Sequence, residues 1–271
     1  MMAQSEFDAW SAGQSYEHYM GRWSRKIAAK FVDWVDPPKN LDWLEIGCGT
    51  GALSEAVLSA ASPRSILSTD QSADFVAHAK AEITDGRAAF KVASADNLPC
   101  SDASVDIVTS GLVLNFIPDR QTAFAEMRRV LRPGGLVAFY VWDYPGGGMG
   151  FIDAFWKAAA EIDPDAAGLD ESARFPFCQK DGLAEMCSDA GIGQAQITPI
   201  EVETRFPDFD AFWHPFTLGA GPAPGYVKSL PDDRKQQLKD HLAAKMGRHE
   251  HVALPARAWA VKASWPVENN R

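Results

Sequence analysis

The chain has 271 residues, 46% of them hydrophobic, so it is long enough for one large domain or for a core domain with an added subdomain. Its formal net charge of −10 argues against a surface that neutralises nucleic-acid phosphates and favours small-molecule partners. It contains no apolar run of membrane-spanning length, no signal-peptide pattern and no C-x-x-C pair, so we expect no membrane association, no metal and a cytoplasmic location.

Strand-like and helix-like patterns alternate along the first half of the chain. Apolar residues at helical spacing predict a helix over 24–35, and Asp119 is placed to cap a second helix that ends near Pro133. Strands are predicted over 41–46, 65–69, 88–93, 105–109 and 136–142. Strands separated by helices predict a mostly parallel sheet.

The pattern changes after Trp142. Helices are predicted near 149–162, near 180–190 and from Pro231, and strands over 196–202 and 256–264. The segment between these two strands is too long for a hairpin, and residues 219–225 favour a loop or a hinge of a lid. We therefore predict an α/β fold, a doubly wound, mostly parallel seven-stranded Rossmann-like sheet with a helical cap inserted before the last strand.

The glycine turn after the first strand indicates a cofactor site. Gly47, Gly49 and Gly51 give the spacing G-x-G-x-G, which lets backbone turn sharply and approach a ligand. A dinucleotide site would have G-x-G-x-x-G, and position 52 is Ala. Asp70 ends the second strand, where a carboxylate can bind ribose hydroxyls or cap a helix, and Asp96 follows the third strand at the same sheet edge.

From about Trp43 to Val141 the chain resembles the class I S-adenosylmethionine-dependent methyltransferases, especially the branch similar to ubiquinone and menaquinone biosynthesis methyltransferases. The residues that carry the resemblance are Leu44-Glu-Ile-Gly-Cys-Gly-Thr-Gly51, Asp70, Ala95-Asp-Asn-Leu-Pro99, Val105-Asp-Ile-Val-Thr-Ser-Gly-Leu112 and Arg129-Val-Leu-Arg-Pro-Gly-Gly-Leu136. The resemblance implies S-adenosylmethionine as the cofactor. It also implies an N-terminal cofactor-covering segment and helix (1–40), a methyltransferase core (41–205 and 251–271) and a cap on the acceptor side (206–250).

The resemblance assigns a part of the cofactor to each loop. The glycines would pack against the methionine and ribose, Asp70 would bind the ribose, and Ser110 and Gly111 would flank the methionine. Asp96, with its neighbours Asn97 and Leu98, would bracket the adenine. Further candidate cofactor-binding residues in the same loops are Cys48, Gln71, Ala95 and Leu112. Glu45 would accept a hydrogen bond from the amino group of the cofactor, or instead from backbone amides. Arg22 would pair with the methionine carboxylate of the cofactor, or instead be exposed to solvent. Tyr19, with Tyr16 and Trp23, would cover the sulfonium or pack on the sheet edge.

Methyl transfer is an in-line displacement in which alignment and water exclusion supply much of the acceleration, so a catalytic base is optional. Asp143 and His214 are the candidate catalytic residues, with Tyr144 as a further candidate. Asp143 could instead be a turn residue, and a lone histidine such as His214 is often structural. The apolar side chains of Phe206, Phe209, Phe212, Trp213 and Phe216 predict one helical face, either core or an acceptor pocket.

The predicted function is therefore methylation of a small, apolar or aromatic organic acceptor by a monomer or homodimer. A non-catalytic cofactor-binding sensor or partner subunit is the main alternative, and a nicotinamide-dependent oxidoreductase is less favoured because of Ala52. A nucleic-acid methyltransferase is disfavoured by the acidity and by the absence of an Asn or Asp followed by Pro-Pro and an aromatic residue in 111–116.

Overall fold

A computed structural model describes residues 20–219, 221–247 and 251–265. Its strands are β1 (Asp42–Ile46), β2 (Ser65–Asp70), β3 (Ala88–Val92), β4 (Val105–Gly111), β5 (Leu131–Trp142), β6 (Gln196–Phe206) and β7 (Val252–Ser264). These seven strands form one sheet in the order β3-β2-β1-β4-β5-β7-β6. Strands β1 to β5 pair in parallel, and β7 runs antiparallel to β5. The predicted mostly parallel seven-stranded fold is confirmed.

Helices connect these strands, and the helix after Asp119 begins at the cap that the sequence predicts. The Asp119 carboxylate accepts from the Thr122 N–H at 3.0 Å at the start of the helix Arg120–Val130. None of the described helices is long and apolar enough to cross a membrane. The helices are α1 (Arg22–Val35), α2 (Ala52–Ala56), α3 (Ala73–Glu82), α4 (Arg120–Val130), α5 (Gly150–Ile162), α6 (Glu171–Arg174), α7 (Lys180–Asp189), α8 (Phe209–Trp213), α9 (Pro222–Ser229) and α10 (Asp232–Met246).

The loop predicted over 219–225 is wrong in its second half, because α9 begins at Pro222. Proline is favoured in the first turn of a helix, where its missing N–H would have no partner within the helix and its φ is already helical. The two prolines of this segment therefore lie in the helix start.

The chain divides into two compact units. The core unit contains Ser24–Trp142, Phe177–Ile200 and the chain from Ala258, and it holds β1 to β5. Its central strand β1 is buried from Trp43 to Ile46, as expected for a parallel strand covered on both faces. Helix α1 packs on β5 through Phe31 and Tyr140, whose ring centroids lie 4.6 Å apart.

The second unit contains residues 20–23, Asp143–Pro176 and Glu201–Arg257. Its core is aromatic: the Phe216 ring stacks on Phe151 and on Phe155, each at 4.4 Å between centroids. The aromatic set predicted from 206–216 is buried here. It does not form one helical face, since Phe206 lies in β6 and Phe216 in a short 3-10 turn (His214–Thr217) after α8. A separate cap over 206–250 stays a prediction.

Candidate functional site

The turn between β1 and α2 is built by three glycines in left-handed conformation. Gly47, Gly49 and Gly51 have φ of 74°, 51° and 90°, a region that L side chains enter only with strain. A Cβ at Gly47 would lie 2.4 Å from Val113 Cγ2, and one at Gly51 would lie 2.6 Å from Ile83 Cδ1. A Cβ at Gly49 would meet no protein atom within 4 Å. Gly47 and Gly51 therefore allow neighbouring side chains to pack closely against the turn, whereas Gly49 leaves open space beside the backbone.

Asp70 connects this turn to the end of β2. Its Oδ2 accepts from the Gly49 N–H at 3.0 Å, and its Oδ1 accepts from the Ser72 N–H at 2.9 Å. The carboxyl group is almost fully buried, and this burial raises its pKa from the ordinary value of 3.8, while the backbone hydrogen bonds act in the opposite direction. Asp70 therefore fixes the glycine turn as well as ending β2.

Glu45 lies beneath the turn, in β1, with 1% of its surface exposed. Its Oε2 accepts from the Ser68 hydroxyl at 2.7 Å and from the Ser54 hydroxyl. Burial raises the pKa of Glu45 from 4.5 to about 7, against the lowering effect of the two serines. Glu45 thus joins α2 to β2. Neither serine was singled out in the sequence, because both are ordinary small polar residues.

The loop after β3 carries the predicted adenine-binding residues. Asp96 and Asn97 are exposed, Leu98 is buried, and Ala95 is half-buried. The Asn97 N–H donates to the Ser94 carbonyl at 3.2 Å. Because β1 to β4 are parallel, this loop and the glycine turn both follow the carboxyl ends of their strands and lie at the same edge of the sheet.

The end of β4 completes that edge. The Ser110 hydroxyl donates to the Ile46 carbonyl at 2.9 Å, and a Cβ at Gly111 would lie 2.5 Å from the Tyr140 hydroxyl oxygen. Leu112 has a left-handed backbone with φ of 63°, and its N–H donates to the Tyr140 carbonyl at 2.8 Å. Such a conformation in a bulky residue stores strain, which is concentrated at functional sites. No sequence pattern predicts this backbone conformation.

Asp143, in the second unit, is committed to structural contacts. Its Oδ2 binds Arg257 Nε at 2.6 Å and Nη2 at 2.5 Å, and its Oδ1 accepts from the Gly146 N–H at 2.9 Å. The loop 146–148 packs closely against the Asp143 side chain, since a Cβ at Gly146 or Gly148 would collide with it. A carboxylate with these partners is poorly suited to accept a substrate proton.

The remaining predicted residues have varied surroundings. His214 and Gln71 are exposed. Burial, with help from the nearby carboxylates, raises the pKa of the Cys48 thiol, so it stays protonated. In the second unit, the Arg22 guanidinium lies 4.3 Å from the Trp23 ring centroid and 4.9 Å from that of Phe206. Tyr16 and Tyr19 lie outside the described residues. Pairing of Arg22 with a cofactor carboxylate stays a prediction.

The core-unit residues fit an adenosine-type cofactor. Backbone beside Gly49 is open, and the Asp70 carboxylate accepts from the backbone N–H groups of Gly49, Ser72 and Gln71, while a carboxylate offers about four acceptor positions in all. An exposed acidic side chain, Asp96, stands in the loop after β3. The same edge therefore offers a close backbone approach and acceptors for hydroxyl and amino groups, which a ribose and an adenine require.

Comparison with known proteins agrees with this geometry. Residues 44–139 match the family described as a methyltransferase domain, a range that contains the glycine turn, Asp70, the loop after β3 and the end of β4. The chain is 28% identical over 223 residues to the malonyl-[acyl-carrier protein] O-methyltransferase of Geobacter sulfurreducens, covering 81% of this chain and 78% of the relative. It is 29% identical to the demethylmenaquinone methyltransferase of Geobacillus kaustophilus, covering 58% and 72%.

Among solved structures, the chain resembles phosphoethanolamine N-methyltransferase 2 of Haemonchus contortus in complex with S-adenosyl-L-methionine. The TM-score is 0.55 at 16% identity, covering 94% of this chain and 56% of that one, which shows a shared fold. Other methyltransferases match this chain over little more than a third of their own length.

Proposed function

Because this chain belongs to the S-adenosylmethionine-dependent methyltransferases, we propose that it transfers a methyl group from that cofactor to a small organic acceptor, apolar or aromatic in character. The observation that carries the proposal is the pairing of an open Gly49 with the buried carboxylate of Asp70 at one sheet edge. A small acceptor is supported by the net charge of −10, which disfavours binding to a polyanion.

The core unit would hold the cofactor through residues of four neighbouring strands. In this proposal Asp70 accepts from the ribose hydroxyls and keeps the turn in place, while the backbone of Gly47 to Gly51 approaches the ribose and the methionine. The adenine lies against Ala95 to Leu98, where Asp96 accepts from its amino group. Ser110 to Leu112 flank the methionine. Glu45 stays beneath the turn, bonded to its two serines.

When bound, S-adenosylmethionine supplies a methyl group activated by a cationic sulfur. The contribution of the protein is then to orient the cofactor, align the acceptor and exclude water. An acceptor that binds already ionised, such as an acidic phenol or a thiol, needs no base from the protein. The proposal assigns no general base, because the Asp143 carboxylate is already held by Arg257 and Gly146.

A turnover assay tests the proposal. Purified protein is incubated with S-adenosylmethionine and separate pools of phenols and quinols, thiols, amines and carboxylic acids, and S-adenosylhomocysteine is measured by mass spectrometry. We expect the wild type to form S-adenosylhomocysteine with a pool that contains apolar or aromatic acceptors. We expect the Asp70→Ala variant to form none. Tight binding of S-adenosylhomocysteine without turnover of any pool would instead support the non-catalytic sensor.

A carrier-bound malonyl thioester is a second acceptor to include. The Geobacter sulfurreducens relative carries that acceptor in its name, and its alignment extends over 81% of this chain, well beyond residues 44–139. Turnover of malonyl-carrier protein, and of none of the small-molecule pools, would contradict the small-acceptor proposal. The cofactor assignment would then still stand.

A further inference from the structure

We propose that Glu126 and Arg129, on α4, are positioning residues that set the adenine preference of the cofactor site by clamping the loop after β3. This inference rests on the proposed function, because it concerns the loop that would meet the adenine. Neither side chain belongs to the cofactor-binding set. The proposal is that they act through the backbone of the loop and do not touch the ligand themselves.

The pair holds Leu98 from both sides. The Leu98 N–H donates to Glu126 Oε2 at 2.9 Å, and the Leu98 carbonyl accepts from Arg129 Nη2 at 3.1 Å. Arg129 Nη1 reaches further along the loop, to the Cys100 carbonyl and to Asp102 Oδ1, each at 2.8 Å. The loop is therefore fixed at two backbone carbonyls, one backbone N–H and one side chain.

The two clamping residues also fix each other. Arg129 Nε binds Glu126 Oε1 at 2.6 Å, and Arg129 Nη2 binds Glu126 Oε2 at 2.7 Å, a bidentate pair between positions i and i+3 of one helix. Hydrogen bonding to Arg129 lowers the pKa of Glu126, and the two carboxylates of Glu126 and Asp102 raise that of Arg129. Bidentate arginine–carboxylate pairs have defined geometry, so the clamp is pre-set on a helix.

The position of Asp96 makes this clamp relevant to the ligand. Asp96 lies two residues before Leu98, in a segment without regular secondary structure. An exposed carboxylate in such a segment has no sheet pairing to keep its place. Because Leu98 is tied by both its N–H and its carbonyl, the clamp limits where Asp96 can lie, and so the distance from its carboxylate to an adenine amino group.

The experiment compares two ligands that differ at one group of the base. Calorimetry gives dissociation constants for S-adenosylhomocysteine, whose adenine donates from an amino group, and for S-inosylhomocysteine, which has an oxygen acceptor there. The variants are Arg129→Met and Glu126→Gln. The matched control is Arg128→Met, the same substitution at the neighbouring, exposed position of α4. Thermal unfolding confirms that each variant is folded.

We expect the preference for the adenosyl over the inosyl ligand to fall about tenfold in Arg129→Met, because the loop no longer keeps Asp96 opposite the base. Glu126→Gln should lose less of this preference, since its amide oxygen still accepts from the Leu98 N–H, and it tests the clamp if Arg129→Met fails to fold. A purely structural role of the pair would weaken the binding of both ligands equally. An unchanged preference in the folded variants would overturn the inference, whereas failure of the wild type to bind S-adenosylhomocysteine would overturn the proposed function.

Discussion

Replacing Gly49 with Ala distinguishes an effect on cofactor binding from an effect on folding stability. Gly49 has φ of 51°, and a Cβ there would meet no protein atom within 4 Å, so the substitution adds strain without a collision. A left-handed backbone costs an L-residue roughly 1–2 kcal/mol, and we expect the free energy of unfolding to fall by that amount. The added methyl group would lie where the proposed cofactor approaches the turn. We therefore expect affinity for S-adenosylhomocysteine to fall by a further factor of about ten, or about 1.4 kcal/mol.

Two other glycines provide controls. Gly191 also has a left-handed backbone, with φ of 68°, and a Cβ there would meet no atom within 4 Å, but it follows α7, outside the proposed site. Gly191→Ala should thus lose similar stability and keep its affinity for the ligand. Gly51→Ala should lose more stability than either, because its Cβ would lie 2.6 Å from Ile83 Cδ1.

Urea unfolding and calorimetry with S-adenosylhomocysteine measure the two quantities separately. Equal affinity of Gly49→Ala and Gly191→Ala for the ligand would show that the open space beside Gly49 has no part in binding. A loss of affinity in both variants would equally contradict a binding role for this space, since that loss would follow the backbone strain and not the position.

Three further substitutions test the roles of buried groups. Burial raises the pKa of Glu45 from 4.5 to about 7. Between these two pH values the folded protein therefore keeps a proton that the unfolded chain has released. The unfolding free energy of the wild type should fall by up to about 3 kcal/mol as pH rises through this range. Glu45→Gln should remove that loss in urea unfolding at pH 5 and pH 8, and an unchanged difference between the two pH values would contradict the assignment. Phe216→Ala should lower the unfolding free energy by about 3–5 kcal/mol, because its buried ring stacks on Phe151 and Phe155, and a loss under about 1 kcal/mol would argue against a core role. Asp143→Asn should lower the unfolding free energy by about 1.5–3 kcal/mol, because its hydrogen bonding to Arg257 is weaker. A changed pH profile of turnover at unchanged stability would instead support a role of Asp143 as a general base.

The sequence predicted most elements because their periodicity is local. Strands and helices were placed within a few residues, with larger errors where a turn signal lies inside a strand. The strand predicted over 136–142 begins at Leu131, since β5 continues through Pro133 and the two glycines after it. The pairing between β4 and β5 shifts register between Val105 and Ile107. Such an irregularity depends on the neighbouring strand and has no signature of its own.

The glycine turn and the carboxylate after β2 could be predicted because spacing alone places them at one sheet edge. The partners of buried charges could not, since they are distant in sequence. Asp143 and Arg257 are 114 positions apart, and Glu45 and Ser68 are 23 apart. Arg129 belonged to a motif that the sequence made visible, but its contacts with Leu98 and Cys100 depend on how α4 packs beside the loop.

The most direct test of the central claim is the affinity of the wild type and of Asp70→Ala for S-adenosylhomocysteine, measured by calorimetry. Asp70 ends β2 and accepts from the N–H of Gly49, so its removal takes away both the proposed ribose acceptor and a contact that fixes the turn. We predict that the wild type binds the ligand and that binding by the folded variant is no longer detectable. Equal affinity of the two proteins would contradict the location of the site.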